Sequence, residues 1–312
     1  MIAFVFPGQG SQRVGMGRAL AEAFPESREV FDAADEALGE PLSALCFEGP
    51  EERLLLTEHT QPAIVTASVA AARALEARGF RPAIAAGHSL GEYSAHVVAG
   101  TFSFADALRI VRRRGQYMQE AVPVGTGAMS AVLGLDEAAV ARACTESAGG
   151  EVVAPANLNA PRQIVIAGHA SAVARAADRA RALGARRVVP LAVSAPFHCA
   201  LMAPAEARLA PELRALAVAE PRIPVVANVD AEPRTDGAGA VDALVRQVAS
   251  PVRWEAVVRR LASAGVRAYV EVGPGTVLSG LVRKIDREAR LASFGGPEDL
   301  AAVERIFAEC AS

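Results

Sequence analysis

The stretch GHSLGEYS, residues 87–94, sets a serine between two glycines at the end of the apolar run Pro82 to Ala86 and just ahead of helix-compatible sequence. A G-x-S-x-G string at a strand-to-helix junction reads as a nucleophile elbow, where flanking glycines relieve crowding and the sharp turn lifts the hydroxyl above a sheet. The bland alternative is that Ser89 caps the following helix, since serine is a favoured N-cap. Both readings place a strand before the serine and a helix after it, which is the unit of an α/β fold.

Outward from that junction, short apolar runs at Ile2 to Phe6, Ala83 to Gly87, Ile223 to Val229, Ala268 to Val272 and Leu291 to Phe294 alternate with longer helical patterns. The alternation predicts a mostly parallel sheet covered on both faces. Between residues 125 and 194 the rhythm changes to strand (Ala128 to Leu133), helix (Asp136 to Ser147), strand (Val152 to Asn157), strand (Gln163 to Ala167), helix (Ser171 to Leu183) and strand (Arg187 to Val193). That βαββαβ order predicts a ferredoxin-like subdomain, residues 125–194, inserted into a larger α/β domain formed by residues 1–124 and 195–312. The cleft between the two is the expected ligand site.

Bulk composition narrows the function classes. The 312 residues carry 32 basic and 35 acidic side chains, a net charge of −3, so no overall field attracts nucleic acid or anionic membrane. A 52% hydrophobic and 21% charged chain is that of a soluble globular protein. The four cysteines, Cys46, Cys144, Cys199 and Cys310, include no C-x-x-C pair, so neither a zinc cage nor a disulfide framework is expected and a reducing cytoplasm fits. The start MIAFVFPGQG has no basic n-region for a signal peptide, and the apolar stretch from Pro62 is broken by Thr66, Ser68 and Arg73, too polar for a membrane span.

A serine nucleophile needs a base, and there are five histidines. His88 is adjacent to Ser89 and points away from it, and His96 lies two helical turns on. His169 sits where the second helix of the insert begins, and His59 precedes a helix starting near Pro62; each is expected to cap or to lie on the surface. His198 remains, in SAPFHCALM (194–202), where the chain re-enters the large domain beside the cleft. Its neighbour Cys199 lacks an elbow and reads as a small core residue.

The loop FPGQGSQ (6–12) fails the dinucleotide fingerprint, because after Gly8 and Gly10 the third glycine, Gly15, comes two positions too far on, and it lacks the Walker G-K-[ST]. Its backbone N–H groups, with that of Leu90, read instead as oxyanion-hole donors. In the helical pattern Ala107 to Ala121, Arg109, Arg112, Arg113, Gln116 and Glu120 form a solvated face. Ala107, Ile110, Val111, Tyr117, Met118 and Ala121 form the apolar one, with Arg114 in its middle. A guanidinium keeps its proton, so in an apolar interior it needs a partner: an internal acid or carbonyl, or a substrate carboxylate held bidentately.

Taken together, FPGQGSQ, TQPAIVTAS (60–68), GHSLGEYSA, RRGQYMQEAVP (113–123), GTGAMSAVLGL (125–135), PFHCALM and EVGPG (271–275) resemble, in order along the chain, the malonyl-CoA:acyl carrier protein transacylase family. That family includes free-standing acyltransferases of polyketide assembly lines. The resemblance implies an α/β-hydrolase-like domain with a ferredoxin-like insert. It implies Ser89 as acylated nucleophile, His198 as its base, the N–H groups of Gln9 and Leu90 as oxyanion hole, and the main-chain carbonyl of Gln247 as orienter of the histidine. Arg114, Phe197 and Met118 would contact the substrate, Arg114 gripping the malonyl carboxylate and Phe197 blocking an α-methyl group.

The implied reaction is ping-pong transfer of malonyl from malonyl-CoA to the phosphopantetheine thiol of an acyl carrier protein bound in trans, in fatty-acid or polyketide synthesis, with no metal or other cofactor. A monomer suffices for it. Arg186, Arg187, Arg283 and Lys284 could meet an acidic carrier, but an ordinary solvated surface is the preferred reading of them. Two rival readings stand beside this one: a serine hydrolase that clears stalled acyl groups, and a non-catalytic scaffold or nucleotide-binding module.

Overall fold

The computed structural model describes residues 1–311. Among the described residues there are ten strands: β1 (Ile2–Phe6), β2 (Ile84–Gly87), β3 (Gly127–Leu133), β4 (Val153–Ala160), β5 (Gln163–His169), β6 (Arg187–Pro190), β7 (Val225–Val226), β8 (Pro233–Arg234), β9 (Ala268–Val272) and β10 (Arg290–Phe294). Six of them form a sheet in the order β10-β9-β1-β2-β7-β8, parallel throughout except for the antiparallel pair β7·β8. β1 and β9 are buried at every residue, as strands covered by helices on both faces are; β1 is apolar throughout, whereas β9 also buries Glu271.

The other four strands form an antiparallel sheet in the order β4-β5-β3-β6, with the helices Glu137–Ser147 and Ala170–Ala182 between its strands. One face of this sheet packs beneath those two helices, through Val132, Val140, Ile164, Ile166, Val173 and Ala176. Its other face, through Met129, Ala156, Val165 and Ala167, joins the same hydrophobic cluster as the helices Thr57–Ala77 and Phe104–Glu120. Backbone bonds from Leu158 N–H to Val252 O (2.8 Å) and from Val252 N–H to Ala156 O (2.9 Å) stitch β4 to the larger sheet's side of the molecule.

Four local expectations need correcting. The helix expected near Pro62 begins at Thr57, so Pro62 lies inside it and His59 is a buried helical residue, neither a cap nor exposed. The His59 ring sits beside Arg112 (Nη1–Nδ1 3.2 Å), and Arg112 also pairs with Glu40, so Arg112 is not simply a solvated side chain. The strand expected over 223–229 shrinks to two residues, because the chain turns back at Ala227, whose N–H donates to Glu232 O, and leaves Asn228 pointing into the site. The last strand of the antiparallel sheet stops at Pro190, and Leu191 onward forms an exposed loop at the pocket mouth.

Candidate active site

The elbow is built by close backbone approach. A Cβ on Gly87 would fall 1.9 Å from Gly91 C, and one on Gly91 would fall 2.0 Å from Phe6 O, so only glycine lets the turn pack against the end of β1. Ser89 takes φ 50°, a left-handed conformation rare for a residue with a Cβ and costly by about 1 kcal/mol. A side chain from the β7 turn holds it there: Asn228 Oδ1 accepts the Ser89 N–H at 2.6 Å and Asn228 Nδ2 donates to Gly87 O at 2.7 Å. Its hydroxyl faces the pocket while the adjacent His88 ring turns to β4, 2.8 Å from Asn159 Oδ1.

Ser89 Oγ lies 2.7 Å from His198 Nε2, across 109 residues of chain. His198 Nδ1 lies 3.0 Å from the main-chain O of Gln247. A carbonyl only accepts, so Nδ1 carries the hydrogen and Nε2 offers its lone pair to the serine O–H. Burial and the nearby Arg114 charge push the His198 imidazolium down to about 3, which keeps the ring neutral and able to take a proton. His198 also sits at positive φ (61°), a second strained residue at this point.

Arg114 is 2% exposed. Its Nη1 donates to Gln61 Oε1 (2.9 Å), and its Nη2 donates to Gln247 Oε1 (3.0 Å) and to Ser89 Oγ (3.1 Å). The guanidinium also stands 5.6 Å from the centre of the Tyr93 ring. Among the described residues no carboxylate lies within ion-pair distance of it. Burial lowers its affinity for the proton, yet a guanidinium stays charged at neutral pH. The site therefore holds a desolvated cation whose protein partners are all neutral.

These groups line one cavity of about 450 Å³, with Gln9, Leu90, Met118 and Phe197 in its wall beside Ser89, Arg114 and His198. The backbone N–H groups of Gln9 and Leu90 make no hydrogen bond among the described residues, and Leu90 immediately precedes the helix Gly91–Ala99, whose N-terminus favours negative charge. The arrangement can deprotonate a hydroxyl, hold an oxyanion and bind an anionic group beside it. All eight residues singled out in the sequence meet here, Gln247 through its backbone as well as its side chain.

Sequence reasoning missed four contributors. Gln61 lies in TQPAIVTAS without any role read for it, yet it touches both Arg114 and Met118 (Nε2–Sδ 3.9 Å). Asn228 and the Gln247 side chain carry no local signal. Glu92 sits in the elbow motif, but its burial could be read only from the fold. Among the described residues no helix is long and apolar enough to cross a membrane, and no cluster of three His, Cys, Asp or Glu could hold a metal ion.

Residues 3–294 match the acyl transferase domain family. Over 301 residues, 96% of this chain and 97% of the relative, the protein is 52% identical to the malonyl CoA-acyl carrier protein transacylase of Salmonella typhimurium. It is 46% identical over 300 residues to that of Bacillus subtilis, covering 96% of this chain and 95% of the relative. Among solved structures it is similar to the malonyl CoA-acyl carrier protein transacylase of Coxiella burnetii, with a TM-score of 0.95, 45% identity and 97% of each chain covered. It is equally similar to a malonyl-transacylase solved in complex with a type II polyketide acyl-carrier protein, with a TM-score of 0.95, 47% identity, and 97% of this chain and 99% of that one covered. The fold and its matches define an acyl transferase. Within that class, the chain belongs to the malonyl-CoA:acyl carrier protein transacylase family.

Proposed function

We propose that this protein transfers malonyl from malonyl-CoA to the phosphopantetheine thiol of an acyl carrier protein through a malonyl ester of Ser89. The observation that carries the reading is Arg114: a buried cation without an acidic partner, 3.1 Å from a hydroxyl that is itself 2.7 Å from a neutral histidine. In the first half-reaction Ser89 Oγ attacks the thioester carbonyl while His198 Nε2 takes its proton, and the oxyanion is held by the N–H groups of Gln9 and Leu90. His198 returns the proton to the departing CoA sulfur. In the second half the carrier's thiol attacks the ester, His198 takes the thiol proton and gives it back to Ser89 Oγ, and malonyl leaves on the carrier. Arg114 binds the free carboxylate throughout, with Met118 and Phe197 against the acyl chain. The exchange of one thioester for another needs no redox group, nucleotide or metal.

The same reading takes residues 125–194 as a ferredoxin-like insert in an α/β-hydrolase-like domain of residues 1–124 and 195–312. The βαββαβ element order and the strand order β4-β5-β3-β6 support it. It takes the protein as a cytoplasmic monomer, in keeping with four free cysteines, three of them buried.

Intact mass spectrometry after brief incubation with malonyl-CoA tests the chemistry. A malonyl adduct that is absent in Ser89→Ala and discharged onto added holo-carrier protein is the expected result. Release of free malonate without carrier would replace the transferase with a hydrolase, and no adduct at all would leave only a scaffold.

A further inference from the structure

Glu92 is the second residue of the helix behind Ser89. It is fully buried and does not line the pocket. Its Oε2 accepts two hydrogen bonds, from the Asn228 backbone N–H (2.9 Å) and from Gln247 Nε2 (2.8 Å). Its Oε1 has no partner among the described residues. Burial pushes this carboxyl up to about 7. An acid so poorly compensated is a poor way to stabilise a core, where an apolar side chain of similar volume does as well or better.

What its two donors do is more informative. Asn228 straps the elbow on both sides of the nucleophile, at Ser89 N–H and Gly87 O. Gln247 donates from Nε2 to Ser89 O (3.0 Å), accepts from Arg114 Nη2 at Oε1 (3.0 Å), and holds His198 Nδ1 with its main-chain carbonyl (3.0 Å). One carboxylate oxygen thus joins the strap on the nucleophile to Gln247, whose side-chain amide touches the cation and whose main-chain carbonyl holds the base.

We propose that Glu92 is a positioning residue for acyl choice: by accepting from Asn228 and Gln247 together, it fixes the spacing between Ser89 and Arg114 without touching substrate. The assignment rests on the reading of Arg114 as the carboxylate-binding group. An oxygen that receives two N–H groups carries no proton, and Arg114 can only donate, so the Gln247 amide has one orientation in which every hydrogen and lone pair facing these neighbours is used. Without the Glu92 acceptor, one buried Nε2 hydrogen is left without a partner. The amide then turns or shifts to recover one, and Oε1 leaves Arg114. Loss of that grip penalises an acyl group with a free carboxylate and leaves a neutral acyl group much less affected.

The test is the ratio of pre-steady-state kcat/KM values for acylation of Ser89 by malonyl-CoA and by acetyl-CoA. Glu92→Leu, which fills the volume without an acceptor, is expected to lower the malonyl-to-acetyl ratio at least about tenfold, and Glu92→Gln, which restores an acceptor oxygen, to recover most of it. Gln247→Ala, which leaves Glu92 in place, must lower the ratio as well, so the proposal remains exposed even where Glu92→Leu does not fold. An unchanged ratio in Glu92→Leu or in Gln247→Ala, or equal losses with both acyl groups, overturns it. Arg114→Ala run alongside separates the two layers. If that variant keeps the ratio, the reading of Arg114 fails; if it loses the ratio while Glu92→Leu keeps it, only the role of Glu92 fails.

Discussion

Arg114 Nη2 and Ser89 Oγ lie 3.1 Å apart, with the same nitrogen 3.0 Å from Gln247 Oε1. A permanent, buried cation thus touches the atom that would carry the acyl group. That contact links three properties of the site. The charge helps to hold His198 neutral, it favours the serine oxygen as it loses its proton, and it is close enough for a carboxylate on a Ser89-bound acyl group to reach.

Removing the cation should therefore change which acyl group is accepted more than whether acylation occurs. Arg114→Ala is expected to lower kcat/KM for malonyl-CoA by about two to three orders of magnitude, the scale of two charge-assisted hydrogen bonds in a buried site, while acetyl-CoA gains in relative terms. Arg114→Lys should recover little, since an ammonium cannot reproduce the fork that meets Gln61, Gln247 and Ser89 together. Competition between the two thioesters, read by intact mass, decides it.

The histidine makes a prediction about pH. Imidazole nitrogen shifts in ¹⁵N-histidine-labelled protein should show His198 neutral and protonated on Nδ1 down to about pH 5, because its protonation is pushed to about 3. A midpoint near the ordinary value of about 6.5 would contradict the geometry. The same depression has a stability consequence, shared with His96, which burial also pushes down to about 3. Between about pH 6.5 and 3 the unfolded chain binds protons at these two rings that the folded chain does not. Their contribution is fully present above about 6.5, and it is lost progressively as the pH falls toward 3.

Phe197 stands in the pocket wall beside His198 and is almost fully buried. If its ring is what excludes an α-methyl group, Phe197→Ala should raise the acylation rate with methylmalonyl-CoA relative to malonyl-CoA by about tenfold, within the range that a single methyl contact can supply. An unchanged ratio would assign methyl exclusion to another part of the wall.

The elbow glycines make a stability prediction. Gly91→Ala puts a Cβ 2.0 Å from Phe6 O, and that backbone cannot retreat without breaking the β1–β2 pairing. A loss of about 3 kcal/mol or more in urea denaturation, or failure to fold, is expected. Gly280→Ala offers the control, since its Cβ would meet nothing within 4 Å and it lies in the helix Val277–Ile285, where alanine is the better helix former.

Much of this was legible before any coordinates. The strand–turn–helix around Ser89, the parallel runs at Ile2 to Phe6 and Ala268 to Val272, and the βαββαβ rhythm of residues 125–194 all follow from periodicity and glycine placement, which are local properties of the chain. So does the oddity of Arg114, because a helix of known period puts it on its apolar face. Where local pattern misled, a long-range demand had won. The strand expected over 223–229 ends early because Asn228 leaves the sheet to hold a turn 139 residues away.

Sequence by itself thus determined which serine sits on a sharp turn, which arginine is out of place among apolar residues, and which arrangement of strands and helices must carry them. Only the tertiary structure decided what surrounds them: that Arg114 meets amides and a hydroxyl instead of an acid, that His198 reaches Ser89 across 109 residues, and that buried Glu92 ties Asn228 to Gln247. The reason is physical. Periodicity encodes which face of an element turns inward, whereas the partner met there is set by packing elements far apart in sequence, and a hydrogen bond between them leaves no mark on the neighbours of either residue.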